Sequence, residues 1–335
     1  TPANYARNLL DRLPWPIRRY ASQAFARRTA ALARSDGAQL VVFNSLHSAP
    51  SLDAVRGASD APCLLVAHNV QSTIMRLYAR YQRTLPRRIY AAIQWRKTLA
   101  YEAEACSRFD GVTTYSEIDR DAITELSPGA RVRAVPLMLD VRALEPGQVD
   151  EDIDVLFVGY LGWEPNLDSL RWYLDEIHPR VLADRPHVGV TVAGAGAPRG
   201  LGKRLASLPG VDFLGPVDNV HDLFRRSRVI VVPLRIGSGV RVKIIEAMAL
   251  ARAVVSTSKG YEGLDVEDGR HLVVADGPGE FAGAVGRLLD APGERSSLGA
   301  SGRRYALERH DALSSRTPLV EFCEELARSD SGGRQ

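Results

Sequence analysis

Residues 229–249 constrain this chain more than any other stretch. Val229, Ile230, Val231 and Val232 predict a short buried strand, Pro233 ends it, Gly237 and Gly239 punctuate a loop, and a helix opens near Val242. Such a junction leaves the first backbone N–H groups of the helix pointing beyond the strand end, where they favour an anion. Arg241 and Lys243 fall at the helix start, facing the positive end of its dipole. That placement costs roughly a few tenths of a kcal/mol or more unless an anion offsets it, and a phosphate or diphosphate would be such an anion.

The rest of the chain repeats the same grammar. Short apolar runs at 39–43, 63–67, 112–114 and 132–135 predict strands in a first half, and runs at 153–158, 188–193, 211–214, 229–232, 253–256 and 271–274 predict strands in a second. Helical patterns lie between them: the first thirty-five residues, broken near Pro14 and Pro16; 72–108, interrupted near Pro86; and 167–182. Ser116 reads as an N-cap before an acidic first turn at Glu117 and Asp119. Alternation in both halves predicts an α/β protein of two parallel-sheet domains, whose ligands bind at strand C-termini and so in a cleft between domains. A polar segment at 145–152, punctuated by Pro146 and Gly147, reads as the linker. The boundaries are then 1–148, 149–310 and a last helix at 311–328, with 329–335 read as a disordered tail.

Composition removes several classes. The 335 residues suit about two domains. With 43 basic against 40 acidic side chains the net charge is only +3, and no long Lys/Arg tract points to nucleic acid. Pairs such as Arg18-Arg19, Arg87-Arg88 and Arg225-Arg226 read as solvated helix faces. Cys63, Cys106 and Cys323 are odd in number and scattered, which disfavours a disulfide framework or a structural zinc site and fits a reducing cytoplasmic compartment. No apolar run approaches the length of about eighteen residues that spans a bilayer. A peripheral membrane contact through Arg18, Arg19, Arg27 and Arg28 beside Trp15 and Phe25 stays open, with an ordinary solvated helix preferred.

Each candidate site residue has a plain reading beside the functional one. Glu246 either accepts hydrogen bonds from the vicinal hydroxyls of a ribose or pairs with Lys243 at i,i+3. Ser238 donates to a phosphate or caps the helix, and Gly237 and Gly239 serve the ligand or only the turn. His68, directly after a buried strand, projects into a crevice where it binds a substrate hydroxyl, or it is structural. Gly159-Tyr160-Leu161-Gly162 and Gly194-Ala195-Gly196 end the first two strands of the second half and together indicate close backbone approaches around one ligand. Gly215, after the third strand, shapes a base-binding edge or a plain turn. Neither a dinucleotide fingerprint, a Walker sequence nor a G-x-S-x-G elbow is present.

The run from Val231 through Arg235, Gly237-Ser238-Gly239, Lys243 and Glu246 to Ala249, then 253–258 and Glu262-Gly263-Leu264, strongly resembles the C-terminal half of family 4 retaining glycosyltransferases of the GT-B fold. The likeness extends almost continuously over 153–310, including Phe157-Val158-Gly159 and Trp163-Glu164-Pro165-Asn166. In the first half it rests on 67–70, Glu104, 106–110 and Ser116-Glu117. The resemblance implies two Rossmann-like domains facing across a cleft and transfer of a sugar from a nucleoside diphosphate sugar, with retention and no required metal. UDP is the more frequent nucleotide, with GDP and dTDP open; the acceptor, whether glycan, lipid-linked or small molecule, is not legible.

By that resemblance Glu246 matches the second carboxylate of a paired-glutamate motif and binds the ribose, while the first falls on Ser238. The family's two cations after the first strand of the nucleotide domain match Tyr160 and Pro165, leaving Arg241 and Lys243, with Arg235 nearby, to supply positive charge. His68 matches the active-site histidine. Family members open with a strand and a glycine-rich loop that this sequence enters after, so the N-terminal domain reads as incomplete, with the segment lost or supplied by a partner chain. A non-catalytic nucleotide-sugar-binding or scaffold subunit is the alternative.

Overall fold

A computed structural model describes residues 8–35, 37–82, 84–147 and 149–331. The chain forms two compact units: a first from the residues up to Pro136, Ser238–Val240 and those from Arg316 on, and a second from Leu137–Gly237 and Arg241–Ser315.

In the first unit four parallel strands, β1 (Val41–Phe43), β2 (Cys63–Ala67), β3 (Gly111–Thr114) and β4 (Val132–Ala134), stand in sequence order. Alternation along β2 divides its side chains between two faces. Leu65 joins Phe43, Val55, Phe109, Val112 and Ile123 on one side, while Leu64 meets Phe322 and Leu326 of the last helix, Thr317–Ser331, on the other. That helix lies so close to β3 that a Cβ at Gly111 would come 2.8 Å from both Phe322 and Leu326. Arg133 on β4 holds it with two 2.9 Å hydrogen bonds to Glu325. Ser329 to Ser331 continue this helix, and the remainder of the expected tail lies outside the described residues. The long helical region resolves into Gln71–Arg80 and Leu85–Ser107, separated just ahead of Pro86. The Glu102 carboxylate accepts the backbone N–H groups of Gln71 and Ser72 at 2.7 and 2.9 Å, capping the shorter helix from its neighbour. Ser116 caps its helix by accepting Asp119 N–H at 3.1 Å.

The second unit holds six parallel strands in the order β10-β9-β8-β5-β6-β7: β5 (Ile153–Val158), β6 (Val190–Ala193), β7 (Val211–Gly215), β8 (Ser227–Val232), β9 (Ala253–Ser256) and β10 (Val273–Val274). The chain runs outward from β5 to β7, then returns to lay β8 on the other side of β5. Strand order therefore reverses between β5 and β8, the place where open α/β sheets leave a crevice at the carboxyl ends. Val155, Phe157, Val192, Val229, Tyr173 and Phe281 fill one core of this unit.

Residues 137–147 belong to the second unit, ahead of the boundary at 148 drawn from composition. The tie is through carbonyl groups that composition does not reveal: Leu137 O lies 2.8 Å from His310 Nδ1, Leu139 bridges Asp311, and Arg303 donates to Leu144 O at 2.7 Å.

Candidate functional site

Two loops flank the strand reversal, one after β5 and one after β8, and side chains lock each to its surroundings. Arg235 leaves the β8 loop for the helix Glu164–Trp172, giving Asp168 hydrogen bonds of 2.8 and 3.1 Å, with its guanidinium carbon 5.2 Å from the centre of the Trp172 ring. This expected ligand residue thus ties the β8 loop to that helix, with Nε and Nη2 on one carboxylate in the fork geometry that suits them. Gly237 has no side chain because the Arg241 guanidinium lies against it; a Cβ there would collide with Nη2. Arg241 occupies the N-cap of the helix Val242–Ala249 and is only 7% exposed.

Lys243, in the first turn of that helix, turns back under β5. Its Nζ donates to Val158 O at 2.5 Å and Asn166 Oδ1 at 3.2 Å and lies 5.5 Å from the Phe157 ring centre. Burial, with Arg241 beside it, brings its ammonium down to about 7. The carboxamide of Asn166 continues the chain of contacts, donating through Nδ2 to Tyr160 O at 3.1 Å. Gly159 is needed for this packing, since a Cβ would sit 2.9 Å from the Asn166 amide, and a Cβ on Gly194 would run into Gly159 O. The close approaches expected of these glycines are therefore between the β5 and β6 loops themselves. Tyr160 is 60% exposed, its ring on a floor of glycine: a Cβ at Gly162 or Gly196 would come 2.6 or 2.5 Å from it. Gly215 ends β7 at φ +71°, a left-handed conformation that suits glycine, and its carbonyl accepts Gly194 N–H at 2.8 Å.

Glu246, one turn further along the helix, does not make the i,i+3 pair with Lys243 weighed from sequence. Its Oε1 is 3.1 Å from His221 Nε2, and Lys243 makes no ion pair with it among the described residues. Ser238 and Gly239 are in the first unit. There Ser238 Oγ donates to Asp119 at 2.7 Å and accepts Val70 N–H at 3.0 Å, so its hydroxyl does not cap the helix Val242–Ala249. Gly239, at φ +82°, has His68 O where a Cβ would stand. His68 follows β2 in the first unit, its side chain largely accessible, with Nε2 2.8 Å from Asn44 Oδ1; desolvation by its neighbours lowers its pKa and favours the neutral imidazole.

The structure thus gathers Gly159, Tyr160, Gly194 and Lys243 at one strand end, Gly237 with Arg241 beside it, and Glu246 with His221. From sequence Asn166 stands only as part of the 163–166 likeness and His221 is not singled out, because a lone Asn or His inside a helical segment carries no spacing signal. Among the described residues no helix is long and apolar enough to cross a membrane, and no three His, Cys, Asp or Glu side chains are grouped to hold a metal.

These features define a class, and the comparisons narrow it. The chain superposes on HepE of Anabaena in complex with UDP and glucose (TM-score 0.67, 14% identity, 91% of this chain and 81% of that one). It also superposes on sucrose-phosphate synthase of Thermosynechococcus elongatus (TM-score 0.73, 17% identity, 91% and 78%). The fold is accordingly that of the GT-B glycosyltransferases, with two parallel-sheet α/β domains. Residues 152–291 match the family model described as glycosyl transferases group 1. In sequence, 137 residues are 33% identical to an uncharacterized 44.6 kDa protein in the cps region of Klebsiella pneumoniae, covering 38% of this chain and 35% of that protein. Another 33% identity spans 165 residues of D-inositol 3-phosphate glycosyltransferase 2 of Catenulispora acidiphila, covering 45% and 38%. The matches thus span little more than a third of either curated relative.

Proposed function

We propose that this chain is a retaining glycosyltransferase that takes its sugar from a nucleoside diphosphate sugar, UDP foremost, and passes it to an acceptor hydroxyl. The observation that carries the reading is the placement of Arg241 at the N-cap and of Lys243 and Glu246 on the first two turns of one helix beside the strand reversal, within the segment matched by the glycosyl transferases group 1 model. HepE, bound to UDP and glucose in its crystal structure, supports the donor class.

In this reading the diphosphate lies against the helix start, where Arg241, Lys243 and the backbone at Gly237 offset its charge. The ribose hydroxyls take Glu246 from His221. Sugar transfer breaks the bond from the anomeric carbon to the diphosphate oxygen and forms one from that carbon to the acceptor oxygen on the same face. The departing diphosphate accepts the acceptor's proton. His68 is proposed to hydrogen-bond the donor sugar.

A binding or scaffold subunit is the second reading, favoured by Lys243 having two protein acceptors and Ser238 two protein partners of its own. Thermal shift with UDP, GDP and dTDP, followed by donor hydrolysis and transfer assays, separates the two. A nucleotide at about a hundred times its Kd raises stability by about 2.7 kcal/mol, which in a unit of this size moves Tm by roughly 5–10 °C. A shift with turnover supports the transferase, a shift without turnover supports the binding subunit, and no shift with any of the three removes both.

A further inference from the structure

The helix Leu85–Ser107 is inverted. Ordinary surface helices turn their apolar stripe inward, yet the buried positions here include Gln94, Thr98 and Glu102, while Leu85, Ile89 and Ile93 are 70, 54 and 37% exposed. Each of these buried side chains has a partner: Gln94 Oε1 accepts Trp15 N–H at 2.8 Å, Thr98 donates to Gln94 O at 2.8 Å, and Glu102 caps the neighbouring helix, while Gln94 Nε2 is buried without a hydrogen-bond partner among the described residues. The three exposed aliphatics, spaced i, i+4 and i+8, form one stripe about 12 Å long.

Charge around this stripe is of one sign. No Asp or Glu occurs between Asp60 and Glu102, whereas Arg76, Arg80, Arg87, Arg88, Arg96 and Lys97 all do. Arginines elsewhere in the chain are widely engaged in ion pairs, as with Arg120, Arg133, Arg226 and Arg235. Arg76, Arg80, Arg87, Arg88 and Arg96 are exposed and make no ion pair among the described residues. Their two helices pack together as a hairpin.

We propose that this helical hairpin is a peripheral docking surface for an anionic membrane. By helical position Arg88 and Arg96 stand beside the exposed aliphatics, and this pairing matches the two layers of such a surface, an acyl boundary under a sheet of phosphates. A second copy of the chain is a poorer occupant, because pairing this face with itself would oppose two sets of like charges. Base stacking on nucleic acid calls for aromatic rings, which this stripe does not offer. The patch read from sequence around Arg18, Arg19, Arg27 and Arg28 is a different one; there Arg18 pairs with Asp11 and Arg19 lies over Tyr20.

The test is co-sedimentation of the full chain with vesicles of phosphatidylcholine, alone and with about a third phosphatidylglycerol. Binding is expected on the anionic vesicles only, falling with salt. The Arg88→Ser/Arg96→Ser double variant should weaken it by on the order of thirtyfold, and Ile89→Ser/Ile93→Ser should weaken it comparably. Arg225→Ser/Arg226→Ser, which alters ion-paired arginines of the second unit, should leave it unchanged. All these positions are on the surface, and circular dichroism with Tm confirms folding of each variant. Absence of binding to anionic vesicles overturns the proposal. So does equal binding by the hairpin variants, or a concentration-dependent dimer that Ile89→Ser/Ile93→Ser dissolves while vesicle binding is nil.

Discussion

Nucleotide binding should draw a proton into the protein through Lys243. Without a ligand, its ammonium is held down to about 7 by burial and by Arg241. A diphosphate at the helix start adds two or more negative charges nearby and favours the charged form. If the bound lysine titrates above 9, affinity for UDP is constant below pH 7 and weakens up to tenfold per pH unit above it. The loss reaches as much as a hundredfold, or about 2.7 kcal/mol, by pH 9. Phosphate second ionisation near 6 lies below this window, so the ligand does not titrate within it. Calorimetry of UDP at pH 7, 8 and 9 in buffers of different ionisation enthalpy reads both affinity and proton uptake. Lys243→Met, which keeps length and apolar contact with Phe157, should bind more weakly at pH 7 and show a nearly flat profile. A parent Kd that varies less than about twofold from pH 7 to 9 with no proton taken up would refute the assignment. The ligand-free protein carries the opposite trend. Its folded lysine binds a proton less readily than the unfolded one, near 10.4, so the penalty it imposes is full below about pH 7 and relaxes as pH rises toward 10. Stability of the second unit should climb across that window in the parent and climb less in Lys243→Met.

Gly194→Ala drives a methyl group into the Gly159 carbonyl and should cost about 1–3 kcal/mol; an unchanged Tm would show that the β5 and β6 loops yield freely. Glu246→Gln removes the charge expected to receive the ribose, and should raise the Kd for UDP about tenfold with Tm within about 1 °C of the parent; equal affinity would return Glu246 to a structural role with His221. Glu102→Ala leaves the first N–H groups of the helix Gln71–Arg80 without their carboxylate and should lose about 2 kcal/mol in denaturant unfolding. A loss under about 0.5 kcal/mol would mean that water replaces the cap.

Much of the fold was legible because buried parallel strands are nearly continuous apolar runs: β2, β5 and β9 fall on the residues read from sequence. The 271–274 run shortens to Val273–Val274, its first residues going to a turn in which His271 Nδ1 accepts Glu267 N–H. The strand order, and with it the reversal between β5 and β8, was not legible, because periodicity says nothing about which strands pair. At the candidate site, the glycines and the two cations could be picked out from local backbone demands. The partners of the side chains could not. Arg235 meets Asp168 67 residues away, and Lys243 reaches Val158 across 85. Such contacts depend on tertiary placement, and they add to the meaning of the residues: Arg235 holds Asp168, and Lys243 is a half-buried cation already donating to two oxygens.

The most direct test is a crystal structure of the chain with UDP. The expected result has the phosphates within hydrogen-bonding reach of the backbone at Gly237 and of Arg241 or Lys243, and the ribose hydroxyls on Glu246 with His221 displaced. UDP seated away from the ends of β5 and β8, with Glu246 still on His221, would contradict the account.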